Sequence, residues 1–408
     1  MSSATLFSRL SVMMLLQYAV LGAWFATVGL VLSSYGLASI IGFTFSLGAL
    51  GAIASPLLLG AIADRFFPSQ RVLGALHIVG GALLLCLPGI VAAGNGTVFL
   101  GVVFVYMLLF QPTVALSNTI AFTHLGARRR IFPWLRVFGT VGWIVVGLVV
   151  GQLGWSAETT IFLVAAVCSL ALGVYSFTLP STPPPLRGTR FSWGDVVAAK
   201  AFGLLRQRNV LVFMICAILT CIPIAMYNAY ASTYLSVVGV DNVASVLVVG
   251  QASELVFIVL LPFLLSWLSM KWVLVIGMVT WALRFGLFMT AADGSLAPVI
   301  IAVALHGICN DFFLIVGFMY MDKVAPDAIK AQAQSFFVFV SQGVGTFVGS
   351  LAAGEVFNAI VVDPAAPGQW VALWTVPVVI AIVSGALFSV MFRSRDEREP
   401  RDAARTVG

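Results

Sequence analysis

The stretch VLVFMICAILTCIPIAMYNAYASTYLSVV, residues 210–238, carries no charged side chain over its whole length. It exceeds the roughly 20 apolar residues that a helix needs to cross a bilayer. The rest of the 408-residue chain has the same character, with 61% hydrophobic and 9% charged residues, whereas an average soluble domain is about 25% charged. The sequence therefore predicts an all-α integral membrane protein.

Further apolar runs lie on both sides of this stretch, six before a polar break and five after it. The twelve predicted transmembrane helices, spans 1 to 12, lie near residues 10–34, 37–63, 71–94, 97–122, 133–155, 158–180, 210–238, 243–268, 271–292, 298–321, 329–354 and 370–392. The predicted organisation is an N-terminal six-helix half (1–180), a linker with an interfacial amphipathic helix (181–209), a C-terminal six-helix half (210–393) and a tail (394–408).

The basic residues predict the orientation of these helices, because Lys and Arg near span ends are retained on the cytoplasmic side. With the N-terminus inside, all of the 21 Lys and Arg residues except Arg136 and Arg284 fall on cytoplasmic loops or tails. Both termini are therefore predicted to be cytoplasmic, and the net charge of +6 reflects topology rather than nucleic-acid binding. The predicted outer loops carry acidic residues instead, namely Glu158, Asp241, Asp293, Glu355 and Asp363.

Four Asp, Glu and Arg residues lie inside the predicted spans, away from the span ends. Glu254 lies in span 8 and Asp311 in span 10, while Arg136 and Arg284 lie in spans 5 and 9. Charges at such depth are costly and usually mark a transport pathway. An alternative for Arg136 is a side chain that extends to the cytoplasmic surface. Arg284 lies deeper, and we expect it to neutralise Glu254 or Asp311 in a structural or gating pair.

Spans 5 and 11 share a glycine-rich pattern, GTVGWIVVGLVVG at 139–151 and GVGTFVGSLAAG at 343–354. Small residues at such spacings let membrane helices approach closely. Each segment is fifth in its half, which indicates an internal repeat whose halves move about a central site. Ordinary glycine-rich packing is the alternative interpretation for either helix alone.

The loop between spans 2 and 3, GAIADRFFPSQR at 60–71, resembles the signature loop of the major facilitator superfamily. That resemblance implies a gating or charge pair at Asp64 and Arg65 on the cytoplasmic face. Two phenylalanines and a proline interrupt the usual basic cluster. A charged loop that merely obeys the positive-inside rule is the alternative.

Five further segments resemble the nucleoside:proton symporter family of that superfamily. They are QYAVLGAWFATVG, FPWLRVFGTVGW, QASELVFIVLLPFLLS, WALRFGLF and NDFF, in spans 1, 5, 8, 9 and 10. The resemblance implies a secondary active symporter of the bacterial cytoplasmic membrane that binds nucleoside and proton, contacts lipid, and needs no cofactor or metal. We expect a monomer, since one chain holds both halves. Matched motif by motif, the implied cavity residues are Arg136, Thr140, Asn228, Gln251, Glu254 and Asp311.

The chemistry of these positions suits a nucleoside. Gln251 and Glu254 are three residues apart on one helical face, so their side chains can converge on a sugar diol. Asn228 can donate and accept at once, as a base edge requires. Trp143, one turn beyond Thr140, offers an aromatic face for stacking.

Three departures from the family pattern affect substrate choice. Ala225 replaces a glutamine, and His306 and Asn310 stand near Asp311 where aromatic residues are common in the family. His306 and Asn310 are therefore further candidates for the cavity wall. The choice of base, or of a nucleoside over another polyol, stays open on the sequence.

The mechanism expected from these residues assigns the proton to Asp311 and the sugar hydroxyls to Glu254. Protonation of Asp311 from the outer side would remove a charge and ease closure of the two halves around the substrate. The reverse assignment, or a coupled pair, stays open. Alternative functions are transport of another sugar-like polyol, export of hydrophobic drugs, or a non-transporting nucleoside receptor. The chain contains neither G-x-x-x-x-G-K-[ST] nor H-E-x-x-H, which argues against an ATP-driven pump and a metalloprotease.

Overall fold

The structure is a computed structural model that describes residues 3–58, 66–184 and 199–393, and it is entirely helical in those ranges. Short 3₁₀ helices and one π-helix connect the α-helices. The α-helices are α1 (Ser3–Gly22), α2 (Val28–Ser34), α3 (Ile41–Leu58), α4 (Ser69–Ala92), α5 (Gly96–Leu125), α6 (Phe132–Gln152), α7 (Thr160–Ser176), α8 (Arg208–Val237), α9 (Val243–Trp267), α10 (Met270–Thr290), α11 (Leu296–Ala304), α12 (His306–Val324), α13 (Lys330–Val338), α14 (Thr346–Ile360) and α15 (Pro367–Met391).

Ten helical segments in the described ranges are long and apolar enough to cross a membrane. They correspond to every predicted span except spans 2 and 6, where shorter apolar helices cover Ala38–Ala54 and Thr160–Ser176. Large apolar side chains such as Val259, Ile301 and Val390 are exposed on the outside of the bundle. Such a surface suits lipid, which confirms the prediction of an all-α membrane protein.

Three of the predicted spans contain a local interruption of the α-helix. Span 1 divides into α1 and α2, with residues 23–27 between them, and span 10 divides into α11 and α12 at Leu305. Span 11 passes through a π-helix, Phe339–Gly345, before α14 begins. Backbone hydrogen bonds such as Val28 N to Trp24 O (2.9 Å) cross the first interruption. Apolar periodicity does not reveal such breaks, because the segments on both sides remain equally apolar.

Two of the patterned glycines, one on α6 and one in the π-helix of span 11, pack against a helix on their own side of the linker. Gly142 of α6 lies against Leu15 of α1, where any Cβ would overlap the Leu15 carbonyl. A Cβ on Gly345 would lie 2.9 Å from the Cys221 sulfur of α8. α1 is the first helix before the linker and α8 is the first helix after it, so the two contacts occupy corresponding places in chain order.

Later glycines of the same helices pack across to the opposite half. Gly151 of α6 lies against Ser245 of α9, and Gly354 of α14 lies against Gly42 of α3. A Cβ on Gly151 would overlap Ser245 Oγ, and a Cβ on Gly42 would overlap the Gly354 Cα, so these two positions require glycine for the close approach. Span 5 thus contacts span 8, and span 11 contacts span 2. In both cases the fifth span on one side of the linker meets the second span on the other side.

These contacts lie at the end of the bundle that carries the loops after α2, α6 and α8. We call it the far end, because it is opposite to the N-terminus. Hydrogen bonds between the two sets of helices also lie there: Gln152 Nε2 to Ser245 Oγ (3.3 Å), and Asn358 Nδ2 to the Ser39 carbonyl (3.1 Å). We call this closed contact the far-end seam. It is formed by Gly29, Ser39, Gly42, Gly151, Gln152, Ala229, Ser245, Gly354 and Asn358.

Parts of three predicted features lie outside the described residues. Asp64 and Arg65 of the loop between spans 2 and 3 are among these parts, as are residues 185–198 of the linker and the tail from 394 onward. The described end of the linker forms a 3₁₀ helix, Ala199–Arg206. Its Ala201 and Leu204 are buried, and Phe202 lies against Phe336 with ring centroids 4.7 Å apart.

Candidate functional site

A cavity lies between the two sets of helices, where the break after α1 faces α6, α8, α9 and α12. It encloses about 520 Å³ of empty space, counting the part open to solvent. Four of the predicted site residues line it, Trp143, Asn228, Gln251 and His306. The complete lining is Phe25, Ala26, Trp143, Tyr227, Asn228, Ala231, Leu247, Gln251 and His306.

The wall from the N-terminal helices is aromatic. Phe25 lies in the break between α1 and α2, and its ring meets Trp143 of α6 edge to face at 6.3 Å between centroids. Phe45 of α3 supports Phe25 at 5.0 Å. Gly22 gives the indole room, because a Cβ there would lie 2.9 Å from a ring carbon of Trp143. This wall offers a planar ligand an apolar surface for stacking.

The wall from the C-terminal helices is polar. Asn228 of α8 and Gln251 of α9 each bring an amide, and both side chains are only partly buried. His306, the first residue of α12, stacks on Tyr227 with ring centroids 5.3 Å apart. The cavity thus places two amides and an imidazole opposite an aromatic wall.

Behind His306, a chain of hydrogen bonds joins three helices. Arg284 Nη1 of α10 lies 3.0 Å from His306 Nδ1, and His306 Nε2 lies 3.1 Å from Glu254 Oε1 of α9. Asn310 Nδ2 donates to the same Oε1 at 2.8 Å. In this structure Arg284 pairs directly with neither Glu254 nor Asp311, because the imidazole lies between the guanidinium and the nearer carboxylate. The described contact between Arg284 and Glu254 thus runs through His306, and we call Arg284, His306 and Glu254 the relay. Neutralisation of either carboxylate by Arg284 stays a prediction.

Arg284 is held in place by several contacts. Its side chain is fully buried, and Nε donates to the Ala302 carbonyl at 2.7 Å. Its guanidinium carbon lies 3.9 Å from the centre of the Tyr227 ring and 4.6 Å from that of Trp281. Cation–π contacts of this kind are stronger in a desolvated setting. One nitrogen, Nη2, has no hydrogen-bond partner in the described part of the chain.

Asp311 lies next to this relay on α12. It is 3% exposed, and its Oδ2 has no hydrogen-bond partner among the described residues. Glu254, by contrast, has a side chain that is 16% exposed and accepts two hydrogen bonds on Oε1. The two carboxylates therefore have different surroundings: Glu254 is held by donors, and Asp311 is not.

Arg136 and Thr140 do not belong to the cavity lining. Both are partly buried on α6, and the Arg136 guanidinium carbon lies 3.8 Å from the centre of the Tyr18 ring. Gly139 leaves space for it, since a Cβ there would lie 2.6 Å from Arg136 Nη1. This stacking keeps the cation between α1 and α6. A role for either residue in binding remains a prediction.

Five lining residues were not predicted from the sequence: Phe25, Ala26, Tyr227, Ala231 and Leu247. Two of them carry a usable signal, because Ala231 is three residues after Asn228 and Leu247 is four before Gln251, on the same helical faces. Phe25, Ala26 and Tyr227 carry none. In a chain this apolar, an aromatic residue at a cavity has the same sequence signature as one that faces lipid or a neighbouring helix.

Comparison with known proteins agrees with this architecture. Residues 4–397 match the family model described as nucleoside H+ symporter. The chain is 36% identical to a putative nucleoside transporter, YegT, of Escherichia coli K12 over 98% of each chain. It is 28% identical to the nucleoside permease NupG of the same organism over 96% of this chain and 97% of the permease. A crystal structure of NupG superimposes with a TM-score of 0.85 at 25% identity, covering 96% of this chain and all of that one.

The family match extends over nearly the whole chain, and the cavity lies where the interrupted helices meet. The named relatives are transporters, and none is an enzyme. The resemblance inferred from the five sequence segments is thereby confirmed. The protein belongs to the nucleoside H+ symporter family of membrane transporters.

Proposed function

We propose that the protein imports nucleosides together with protons across the bacterial cytoplasmic membrane. The observation that carries this proposal is the cavity, which joins an aromatic wall to the amides of Asn228 and Gln251, with the Glu254 carboxylate one contact behind it. A nucleobase has a planar face and a mixed donor and acceptor edge. A ribose has hydroxyl donors. The cavity supplies a partner for each.

The base would stack beside Trp143 and Phe25, with its edge toward the amide of Asn228. The ribose would lie toward Gln251 and Glu254, whose spacing of three residues on α9 suits a diol. His306 and Asn310 already occupy Glu254 Oε1. Glu254 lies behind the cavity lining in the described state. Its other carboxylate oxygen, Oε2, has no partner within the described residues and would accept a sugar hydroxyl that reaches past His306.

Asp311 would carry the proton. A carboxylate buried at this depth without a donor is costly to ionise, and Asp311 Oδ2 has none in the described chain. Glu254 is better suited to remain charged, because two donors already meet its Oε1. Protonation of Asp311 would remove a buried charge and make movement of the two halves around the loaded cavity less unfavourable.

The far-end seam supports alternating access. With both termini cytoplasmic, as the distribution of basic residues predicts, the far end faces the periplasm and the described state is closed on that side. Opening the seam and closing the opposite end would expose the same cavity to the outside. Twelve spans in two equivalent halves would allow one half to rotate against the other. One chain would suffice for transport, since all cavity residues belong to it.

The direct test is uptake of radiolabelled uridine and adenosine into proteoliposomes, with and without an inward proton gradient. Wild-type protein should accumulate nucleoside only with the gradient, and Asp311→Asn should lose that accumulation. Binding without accumulation would instead indicate a receptor or a facilitator. If neither nucleoside binds, the nucleoside assignment is wrong and another polyol is the substrate.

A further inference from the structure

We infer that Arg284 is a positioning residue that fixes the tautomer of His306, and that His306 in turn orients Glu254 toward the sugar. The role in sugar recognition rests on the proposed function, whereas the link between Arg284 and His306 does not. Arg284 itself is absent from the cavity lining, so its influence on a ligand would pass through the imidazole.

The first step follows from the donors of the guanidinium. Every nitrogen of an arginine side chain donates and none accepts. Arg284 Nη1 lies 3.0 Å from His306 Nδ1, so a hydrogen bond there requires Nδ1 to be unprotonated. A neutral imidazole carries its single proton on the other nitrogen. The contact therefore selects the tautomer of His306 with the proton on Nε2.

The second step follows from what Nε2 faces. His306 Nε2 lies 3.1 Å from Glu254 Oε1, and with its proton it donates to that oxygen. Asn310 donates to the same oxygen at 2.8 Å. The two donors come from α12 and hold the carboxylate of α9 in one orientation. Oε2 is then the oxygen left to accept a hydroxyl from a ligand.

The third step concerns why the tautomer would not change when a ligand arrives. Arg284 is fully buried, bonded to the Ala302 carbonyl and placed over Tyr227 and Trp281. It lies behind His306 rather than in the cavity. A ligand in the cavity can therefore reach the cation only by moving His306 or by disrupting the packing of α10. Arg284 is thus held in place before a ligand arrives, as a preorganised site requires.

The chemical consequence is a preference for ligands that donate. An ionised carboxylate only accepts hydrogen bonds, and two of its donors come from the protein. A sugar hydroxyl can supply the next donor at Oε2, whereas an ether oxygen or a keto group cannot. The relay thus assigns Arg284 and His306 to hydroxyl selectivity, although Arg284 makes no contact with the sugar.

The tautomer can be measured on ¹⁵N-histidine-labelled protein in lipid at neutral pH by NMR. The chain has 3 histidines, and the signals that disappear in His306→Gln identify His306. The expected spectrum shows a protonated Nε2 and an unprotonated Nδ1. A proton on Nδ1, or on both nitrogens, would overturn the inference. Arg284→Met removes the donor to Nδ1 but leaves Glu254 Oε1 as an acceptor at Nε2, so it should weaken the tautomer preference without abolishing it. Arg136→Met, which removes a cation among the helices before the linker, should leave the preference unchanged.

Transport kinetics test the second half of the relay. Loss of the fixed donor should raise the KM for uridine about tenfold in Arg284→Met, as expected for one hydrogen bond to a charged group, with little change in maximal rate. His306→Gln should have a similar effect, and adding Arg284→Met to it should change KM no further. Independent, multiplying effects of the two substitutions, or a loss of rate at constant KM, would show that Arg284 does not act through His306.

The proposed function and the link from Arg284 to His306 can fail independently of each other. If wild-type protein takes up no nucleoside while His306 shows the expected tautomer, the proposed function fails and the link from Arg284 to His306 stands. If uptake is normal and the tautomer is wrong, the transport proposal stands and the positioning role is lost. The wild-type spectrum needs no substitution at Arg284, so a folding defect of that variant cannot leave the question open.

Discussion

Two buried histidines, His77 and His306, lie in polar clusters of opposite character. His77 joins helices of the N-terminal set: its Nε2 lies 3.1 Å from Gln17 Oε1, and its Nδ1 lies 3.0 Å from Ser169 Oγ. No residue of that cluster carries a formal charge when the imidazole is neutral. His306 instead lies between a guanidinium and a carboxylate, and it lines the cavity.

The two clusters also differ in how completely their polar atoms are paired. Gln17 donates to Thr113 at 2.8 Å and accepts from Ser117 at 2.9 Å, so the N-terminal cluster closes on itself. In the C-terminal cluster, Arg284 Nη2 and Asp311 Oδ2 lack partners among the described residues. The neutral N-terminal cluster, whose members bond to one another, joins helices. The charged C-terminal cluster lies beside the cavity and keeps unpaired polar atoms that can serve a ligand and a proton.

The largest effect should come from Asp311→Asn. Asparagine keeps the size of the side chain but cannot exchange a proton, so nucleoside accumulation driven by a proton gradient should be lost completely. Binding of uridine, measured by calorimetry in detergent, should persist. A variant that still accumulates uridine in response to the gradient would move the proton to another group.

The next largest effect should come from Glu254→Gln. Replacing the charged acceptor of the relay with an amide should raise the KM for uridine about ten- to hundredfold, the range for a hydrogen bond to a charged group. Initial rates over a range of uridine concentrations measure this. An unchanged KM would show that Glu254 does not contact the sugar, and the contrast between the clusters would then rest on Asp311 alone.

The matching substitution in the other cluster, His77→Phe, should lower stability without altering recognition. Buried interhelical hydrogen bonds in membrane proteins contribute about 1 kcal/mol each, and this change removes the contacts with Gln17 and Ser169. A lower melting temperature with an unchanged KM for uridine is expected. A large rise in KM would contradict the separation of structural from functional clusters.

The smallest effect should come from Asn310→Ala. It removes one of the two donors to Glu254 Oε1 and leaves the His306 contact in place. We expect the KM for uridine to rise only about fivefold, because the carboxylate keeps its His306 donor and its contact with the sugar. An effect as large as that of Glu254→Gln would mean that Asn310 itself contacts the ligand.

Sequence reasoning reached the fold class because membrane spans follow from composition and length, properties that no tertiary contact alters. It also found Glu254, Arg284 and Asp311, since a charge inside an apolar run is conspicuous. The position of His306 between Arg284 and Glu254 could not be predicted, because three helices converge there and spacing along one helix says nothing about the others.

The helix interruptions show the same limit. Residues 23–27 and Leu305 interrupt spans without a proline or a polar run that would mark the break. They lie at the cavity, where Phe25 and His306 enter its lining. The position of His306 and the helix interruptions both depend on which helix surfaces face one another, and the sequence alone does not indicate this.

The most direct test of proton symport is whether protons enter together with the nucleoside. Proteoliposomes that contain a pH-sensitive dye, with the membrane potential clamped by potassium and valinomycin and no imposed pH gradient, should acidify inside when uridine is added outside. Asp311→Asn should show no such change. If labelled uridine enters through the wild-type protein while the internal pH stays constant, transport is uncoupled from protons and the account is wrong.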